Sequence, residues 1–245
     1  MEERKMFELS DWNNPPTSVV ITGATSGIGF ATKKLLSRTG YEVYDISRTG
    51  LGKVDLSNRI QAENYLFNVF TFPKNCQILI NNAGGMKIPE TINDWDSLVT
   101  LNLHVPYILM WSFINTVPNR FPGLTAILPD PAINLCVINI SSVSGLISEP
   151  ECPIYAMTKA GLISLTRSWA KYGGKLKNKV RVNSISPGPI CKTNLVEGET
   201  PDFLIEQTAL LREGDPSEVA QLVLEIINNK FITGSNFVID GGFTL

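Results

Sequence analysis

A single histidine, His104, serves the 245 residues of this chain. A Ser–His–Asp triad or a histidine-based metal site therefore has little to draw on. The four cysteines, Cys76, Cys136, Cys152 and Cys191, stand without metal-ligand or redox spacing. Cys136 lies in an apolar run that reads as core, and nothing beside Cys152 or Cys191 marks an activated thiol near the pocket. Nothing in this pattern asks for structural disulfides, which fits a cytoplasmic protein. Charge of one sign is missing too: 21 Lys and Arg face 23 Asp and Glu, and that balance argues against a nucleic-acid binder driven by phosphate contacts. No apolar run approaches a membrane span. The opening M-E-E-R-K-M-F-E-L-S-D-W lacks the apolar core and cleavage site of a signal peptide.

What is present reads as alternating strand and helix. Residues 1–16 form an extended polar tail ending in N-N-P-P. S-V-V-I-T is a short β-branched strand, and the helix behind the glycines carries Ile28, Ala31, Leu35 and Leu36 as its apolar stripe. Between them Gly23, Gly27 and Gly29 let the backbone approach a ligand closely. The helix N-terminus offers free N–H groups and partial positive charge to a pyrophosphate. A second strand, Y-E-V-Y-D-I-S-R, ends at Ser47 and Arg48. In dinucleotide folds an acidic residue here holds a ribose 2′-hydroxyl, while an arginine accommodates a 2′-phosphate. Asp45 comes early and Arg48 sits just past the strand end, which favours NADP. V-D-L-S at 54–57 follows as a third strand, with no room for a helix before it. Asp55 there either accepts from an adenine amino group or caps the next helix, the commoner fate.

C-Q-I-L-I-N-N-A-G-G is a strand buried on both faces that breaks into Asn81, Asn82 and Gly84. The helix around D-W-D-S-L-V-T-L-N-L-H-V-P sets Asn102 in apolar company, where it must find partners. Trp95 and Trp111 read as core. The proline-rich stretch 118–134 is a loop or insertion. Residues Cys191 to Gly214 form a looser segment, a candidate substrate lid over about 190–214. D-P-S-E-V-A-Q-L-V-L-E-I-I is a capped helix, and S-N-F-V-I-D-G-G-F a last strand and turn. The alternation predicts one α/β domain over 17–245, a doubly wound parallel sheet with helices on both faces.

Tyr155 and Lys159 stand four apart at the start of a stretch of helical character, so they share one face about one turn apart. Y-x-x-x-K alone also occurs as a solvated surface pair. A fixed ammonium beside a phenol favours the phenolate and predicts a tyrosine pKa moved from about 10 towards neutral. Such a tyrosine can pass a proton to or from a substrate oxygen. Ser142 ends the buried strand V-I-N-I-S-S, on the edge where open α/β sheets bind ligands. Beyond the helix lies a basic cluster of Arg167, Lys171, Lys175, Lys177, Lys179 and Arg181, which reads as a solvated face at a helix end. K-V-R-V-N-S-I-S-P-G-P-I is a further buried strand, broken by Pro187 and Gly188.

In this order, T-G-A-T-S-G-I-G at Thr22–Gly29, N-N-A-G at Asn81–Gly84, Y-A-M-T-K at Tyr155–Lys159, V-N-S-I-S-P-G at Val182–Gly188 and the terminal I-D-G-G resemble the motifs of the short-chain dehydrogenase/reductase family. The likeness covers nearly the whole chain after the tail. It implies a Rossmann-type fold and an oxidoreductase moving a hydride between NADP(H) and a small-molecule carbonyl or secondary alcohol. In general look the chain is similar to 3-oxoacyl-acyl-carrier-protein reductases, so a carrier-bound substrate is a second form of the same expectation. Carried over at matching positions, Tyr155 is the general acid/base and Ser142 polarises the substrate oxygen. Lys159 lowers the tyrosine pKa and binds the nicotinamide ribose, and Asn102 holds a water linking Lys159 to solvent. Gly23, Thr25, Ser26, Gly27, Ile28 and Gly29 form the cofactor turn, with Asn82, Ala83 and Gly84 beside it. Ser47 and Arg48 serve the 2′ position, Asp55 and Leu56 the adenine, and Pro187, Gly188, Ile190 and Thr193 the nicotinamide carboxamide. The family also implies a homotetramer or dimer packed through the Tyr155 helix, with Leu162, Leu165 and Trp169 compatible with that contact. The chain departs from the pattern in its short connection after Arg48, its long stretch between Asn102 and Ser142, the displaced Thr193 and its N-terminal tail. A non-catalytic dinucleotide sensor on the same fold is the alternative from another class.

Overall fold

The computed structural model describes residues 17–88, 90–117, 133–191, 193 and 201–245. The expected tail at 1–16, residues 118–132 of the insertion, and 192 and 194–200 of the lid lie outside them.

Among the described residues six parallel strands form one sheet: β1 Ser18–Thr22, β2 Glu42–Ile46, β3 Cys76–Asn81, β4 Cys136–Ile140, β5 Arg181–Pro187 and β6 Asn236–Ile239. Their order is β2-β1-β3-β4-β5-β6. The helices are α1 Gly27–Arg38, α2 Arg59–Asn68, α3 Trp95–Val99, α4 Val105–Asn115, α5 Pro153–Gly173, α6 Asp202–Glu206 and α7 Pro216–Asn228. Strand side chains alternate between two covered faces, which is why β1, β4 and β5 are buried along their whole length. Val19 and Ile21 of β1 pack with Leu36 of α1 and with Val219, Val223 and Ile226 of α7. Val20 turns to the other face, among residues of α2, α4 and α5 such as Leu66, Leu109 and Leu162. The chain leaves β1 for β2 on one side and returns to β3 on the other. That reversal opens a crevice at the carboxyl ends of β1 and β3, where sheets of this kind take ligands.

The structure corrects the sequence reading in six places. No third strand forms at 54–57: the residues 47–53 are too few for the crossover of a dozen or more residues that a parallel neighbour requires. Val54 and Leu56 instead plug the core beside Tyr65, and the turn before them passes so close to the Tyr65 ring that Gly52 has no space for a Cβ. Asp55 does not cap α2; Asn58 does, accepting the Gln61 N–H at 3.0 Å, while Asp55 accepts from the Ser57 N–H and hydroxyl. The α1 stripe runs through Ile28, Thr32 and Leu36, with Ala31 and Leu35 only half-buried. Trp95 and Trp111 are not core; 43% and 48% of their surfaces stay exposed, on the outer side of a helix whose inner side meets the sheet. Arg181 leaves the basic cluster, because its guanidinium is buried and donates to the Ile226, Ile227 and Ile232 carbonyls around the C-terminal end of α7. Finally, the helical rod Ile92–Asn115 is long and apolar enough, at mean hydropathy 1.4, to match a membrane span. More than half of that stretch is buried inside the protein, and it packs as a core helix of this fold.

Candidate active site

The first wall of the site is the turn after β1. Gly23 and Gly27 take positive φ of 68° and 51°, which glycine adopts without strain. A Cβ on Gly29 would fall 2.3 Å from the Gly23 carbonyl oxygen and 2.4 Å from Asn82 Nδ2. Asn82 locks the turn from beneath, donating through Nδ2 to the Thr22 and Gly23 carbonyls, each at 3.0 Å. Ser26 at the N-cap of α1 makes no side-chain cap bond, and no acidic residue occupies the first turn. The leading N–H groups of α1 are thus left for an anionic ligand at the positive end of a 12-residue helix.

Asp45 secures the same turn from β2. Its Oδ1 accepts the Ala24 N–H at 3.0 Å and its Oδ2 the Ser47 hydroxyl at 3.2 Å. Arg48 stands beyond it, exposed to solvent. The Asp55 carboxyl is held below its ordinary pKa, chiefly by the Ser57 hydroxyl, with the Arg48 charge contributing.

The second wall is the stretch that carries Ser142, Tyr155 and Lys159. Tyr155 and Lys159 on α5 and Ser142 at the end of β4 are all buried. Ser142 Oγ accepts the Ser144 N–H at 3.1 Å, which leaves its own proton free to be given away, and it lines the same cavity as Tyr155. The neighbouring Ser141 is otherwise engaged: its hydroxyl donates to the Lys159 carbonyl at 2.9 Å. Lys159 Nζ donates to Ile140 O at 3.0 Å and sits 5.5 Å over the Tyr155 ring.

The tyrosine titrates in the direction opposite to expectation. Burial pushes Tyr155 up to about 12; the Ser142 hydroxyl pulls the other way, while Cys152 and Glu149 add to the rise. Lys159 does not offset the burial, since its ammonium bonds the strand carbonyl rather than the phenol. Burial also lowers Lys159 itself to about 8. The Cys152 thiol is raised to about 12 by burial and by Glu149, Glu90 and Glu151, which disfavours its thiolate.

Asn102 stands behind this wall. Residues Thr100–His104 form a π-helical turn between α3 and α4, a distortion frequent at functional sites. There Asn102 accepts the Gly85 N–H through Oδ1 and donates through Nδ2 to Gly85 O, both at 2.9 Å. A Cβ on Gly84 would lie 3.1 Å from Lys159 Nζ and 3.3 Å from Asn102 Oδ1. Glycine there is what lets these two side chains share one space.

One cavity of about 550 Å³ joins the walls, within the range of ligand pockets. Its lining includes Gly23, Thr25, Ser26, Gly27, Ile28 and Gly29; Ser47, Arg48, Asp55 and Leu56; Asn82, Ala83 and Gly84; and Ser142, Tyr155, Lys159, Pro187, Gly188, Ile190 and Thr193. Every site residue expected from the sequence is thus brought to one cavity, apart from Asn102 in its second layer. Sequence reasoning missed Thr49, Val54, Ser57, Gly85 and Leu101, which also line it. Each of them adjoins an expected site residue — Thr49 follows Arg48, Val54 and Ser57 flank Asp55–Leu56, Gly85 follows Gly84 and Leu101 precedes Asn102 — a signal that was available. The glycine cradle, the uncapped helix N-terminus and the cavity volume together fit a nicotinamide dinucleotide.

Comparison with known proteins agrees with this geometry. A family model described as enoyl-(acyl carrier protein) reductase matches residues 46–244. The 3-oxoacyl-acyl-carrier-protein reductase of Thermotoga maritima is 29% identical over 92% of this chain and 97% of its own length. A tropinone reductase homolog of Arabidopsis thaliana is 30% identical over 96% of each chain. Among solved structures, 4-hydroxyisoleucine dehydrogenase complexed with NADH superposes with a TM-score of 0.75 at 34% identity, over 93% of this chain and 98% of that one.

Proposed function

The chain belongs to the short-chain dehydrogenase/reductase family of oxidoreductases, and from that membership we propose that it transfers a hydride between NADP(H) and a carbonyl or secondary alcohol, with Tyr155 moving the proton. The observation that carries this reading is the meeting of Ser142, Tyr155 and Lys159 in the cavity that the glycine-rich turn also lines. Bound nicotinamide supplies the hydride, since that chemistry belongs to the cofactor. The chain does the rest. In the reductive direction Tyr155, whose burial favours the protonated phenol, gives its proton to the substrate oxygen as negative charge develops there. Ser142 donates its own proton in a hydrogen bond to the same oxygen and stabilises that charge. Lys159 stands behind the ring to hold the nicotinamide ribose, and Asn102 links it towards solvent. The α1 turn would hold the pyrophosphate, Asp55 and Leu56 the adenine, and Pro187, Gly188, Ile190 and Thr193 the carboxamide.

The preference for NADP rests on Asp45. Its carboxylate is occupied by the Ala24 N–H and the Ser47 hydroxyl, so it is poorly placed to hold a ribose 2′-hydroxyl. Arg48 is the cation lining that end of the cavity and suits a 2′-phosphate. The relative with a solved NADH complex keeps the opposite preference open to test. A carrier-bound 3-oxoacyl thioester is the second form of substrate, supported by the Thermotoga maritima relative and by the exposed Arg167, Lys171 and Lys175 on and after α5. Self-association through α4 and α5 is supported by the exposed Tyr107, Trp111, Met157 and Tyr172; Leu162 is core, and Leu165 and Trp169 pack against it.

The test is titration of NADPH and NADH separately, followed by fluorescence. Tighter binding of NADPH is expected. A preference for NADH overturns the Arg48 reading, and binding of neither overturns the enzyme assignment.

A further inference from the structure

Helix α5 begins without a side-chain cap of its own, because Cys152 at its N-cap makes no such bond. The leading amides of a helix need acceptors from elsewhere. Two of them find one far off in sequence. Glu90 Oε2 accepts the Ile154 N–H at 2.6 Å, and Glu90 Oε1 accepts the Tyr155 N–H at 2.9 Å. The Glu90 N–H donates in return to Glu151 O at 3.4 Å. The carboxylate also sits at the positive end of a 21-residue helix, where a negative charge is favoured.

The segment that carries Glu90 is fastened to the cofactor wall at its other end. It leaves β3 through Asn82, Ala83 and Gly84, which line the cavity, and Gly85 exchanges two hydrogen bonds with Asn102. Past Glu90, Thr91 and Asp94 form a reciprocal capping box, and Lys87 pairs with Asp94 at 2.7 Å. Residues 82–88 are thus tied to the cofactor wall, and residues 90–94, a short strap, to the backbone of the tyrosine.

We propose that Glu90 is a positioning residue, whose carboxylate clamps the first turn of α5 to this strap and so sets where the Tyr155 hydroxyl stands in the cavity. The inference rests on Tyr155 as the proton-transferring group. Three carboxylates, Glu149, Glu90 and Glu151, lie within electrostatic reach of Cys152 in this corner. Among the described residues, Glu90 is the one that bonds the α5 amides. A pure charge effect would be shared with Glu151, whereas a positional effect belongs to Glu90.

The test compares wild type, Glu90→Ala, Glu90→Gln and Glu151→Gln by two readouts. The first is amide hydrogen exchange at Ile154 and Tyr155, read by NMR without substrate. Loss of the clamp in Glu90→Ala is expected to speed exchange there by about fivefold, the value of a helix cap. The second is steady-state reduction of ethyl acetoacetate with NADPH. Glu90→Ala is expected to lower kcat by on the order of tenfold to a hundredfold, as a misplaced catalytic group does, with KM and NADPH affinity nearly unchanged. Glu90→Gln, which keeps one acceptor oxygen, should fall between, and Glu151→Gln should match wild type. Unchanged exchange in Glu90→Ala overturns the clamp whatever the rates show. Faster exchange with an unaltered kcat, or an equal loss in Glu151→Gln, overturns the positioning role. Full turnover in Tyr155→Phe overturns the underlying assignment of Tyr155 instead, and the exchange readout still decides the clamp.

Discussion

At the Tyr155 end of the cavity each candidate reacting side chain is buried and bonded from behind, whereas at the Arg48 end the chain meets solvent. Ser142 is fixed by the Ser144 amide, Lys159 by the Ile140 carbonyl, Asn102 by both polar groups of Gly85, and Tyr155 through its own N–H by Glu90. Arg48 has no such fixture: it is exposed, on a short loop that replaces a crossover. The contrast shows what each end needs. Proton transfer requires atoms held to a fraction of an ångström, and burial supplies that rigidity while shifting the pKa values of the groups it holds. The proposed recognition of a 2′-phosphate would require mainly a charge of the right sign, which a solvated arginine can supply.

Four measurements probe that contrast. Tyr155→Phe is expected to lower carbonyl reduction by roughly a thousandfold while leaving NADPH affinity intact; steady-state rates beside a fluorescence titration check it, and a parallel loss of binding would erase the division between the ends. Lys159→Met tests the burial itself. The lysine's pKa is about 8 in the folded protein against 10.5 when exposed, so between these values the unfolded chain binds the extra proton. Stability from this group should therefore rise with pH across that window, having been lowest below it where a buried charge must be kept. Urea midpoints at about pH 7 and about pH 10 should show the rise in wild type and its loss in the variant.

At the open end, Arg48→Ala should weaken NADPH binding by about tenfold and leave NADH binding unchanged. Equal weakening of both would mean that the arginine grips something other than a 2′-phosphate. The smallest effect belongs to the α2 cap at Asn58, close in sequence to Asp55 and Leu56. Asn58→Ala should cost about 1 kcal/mol of stability, read as a shifted urea midpoint with unaltered slope, and should not change turnover.

The sequence by itself determined most of the elements and which candidate residues they carry. Local rules were enough: β-branched runs buried on both faces for β1, β3, β4 and β5, a glycine turn before α1, an Asp215 capping box before α7, and the four-residue spacing of Tyr155 and Lys159. These signals depend on near neighbours in the chain, so they can be read from it. The tertiary structure decided the rest, for the reason that long-range contacts leave no periodicity. It turned V-D-L-S from an expected strand into a core plug, because closing a parallel pair needs more chain than residues 47–53 provide. Arg181 became the partner of the α7 carbonyls, and Asp45 a brace for the glycine turn. Most of all, it raised the Tyr155 pKa that the spacing had predicted to fall. Spacing places an ammonium near a phenol, but only packing fixes how deeply both are buried and which group the ammonium bonds, and here burial of the phenol is the largest effect.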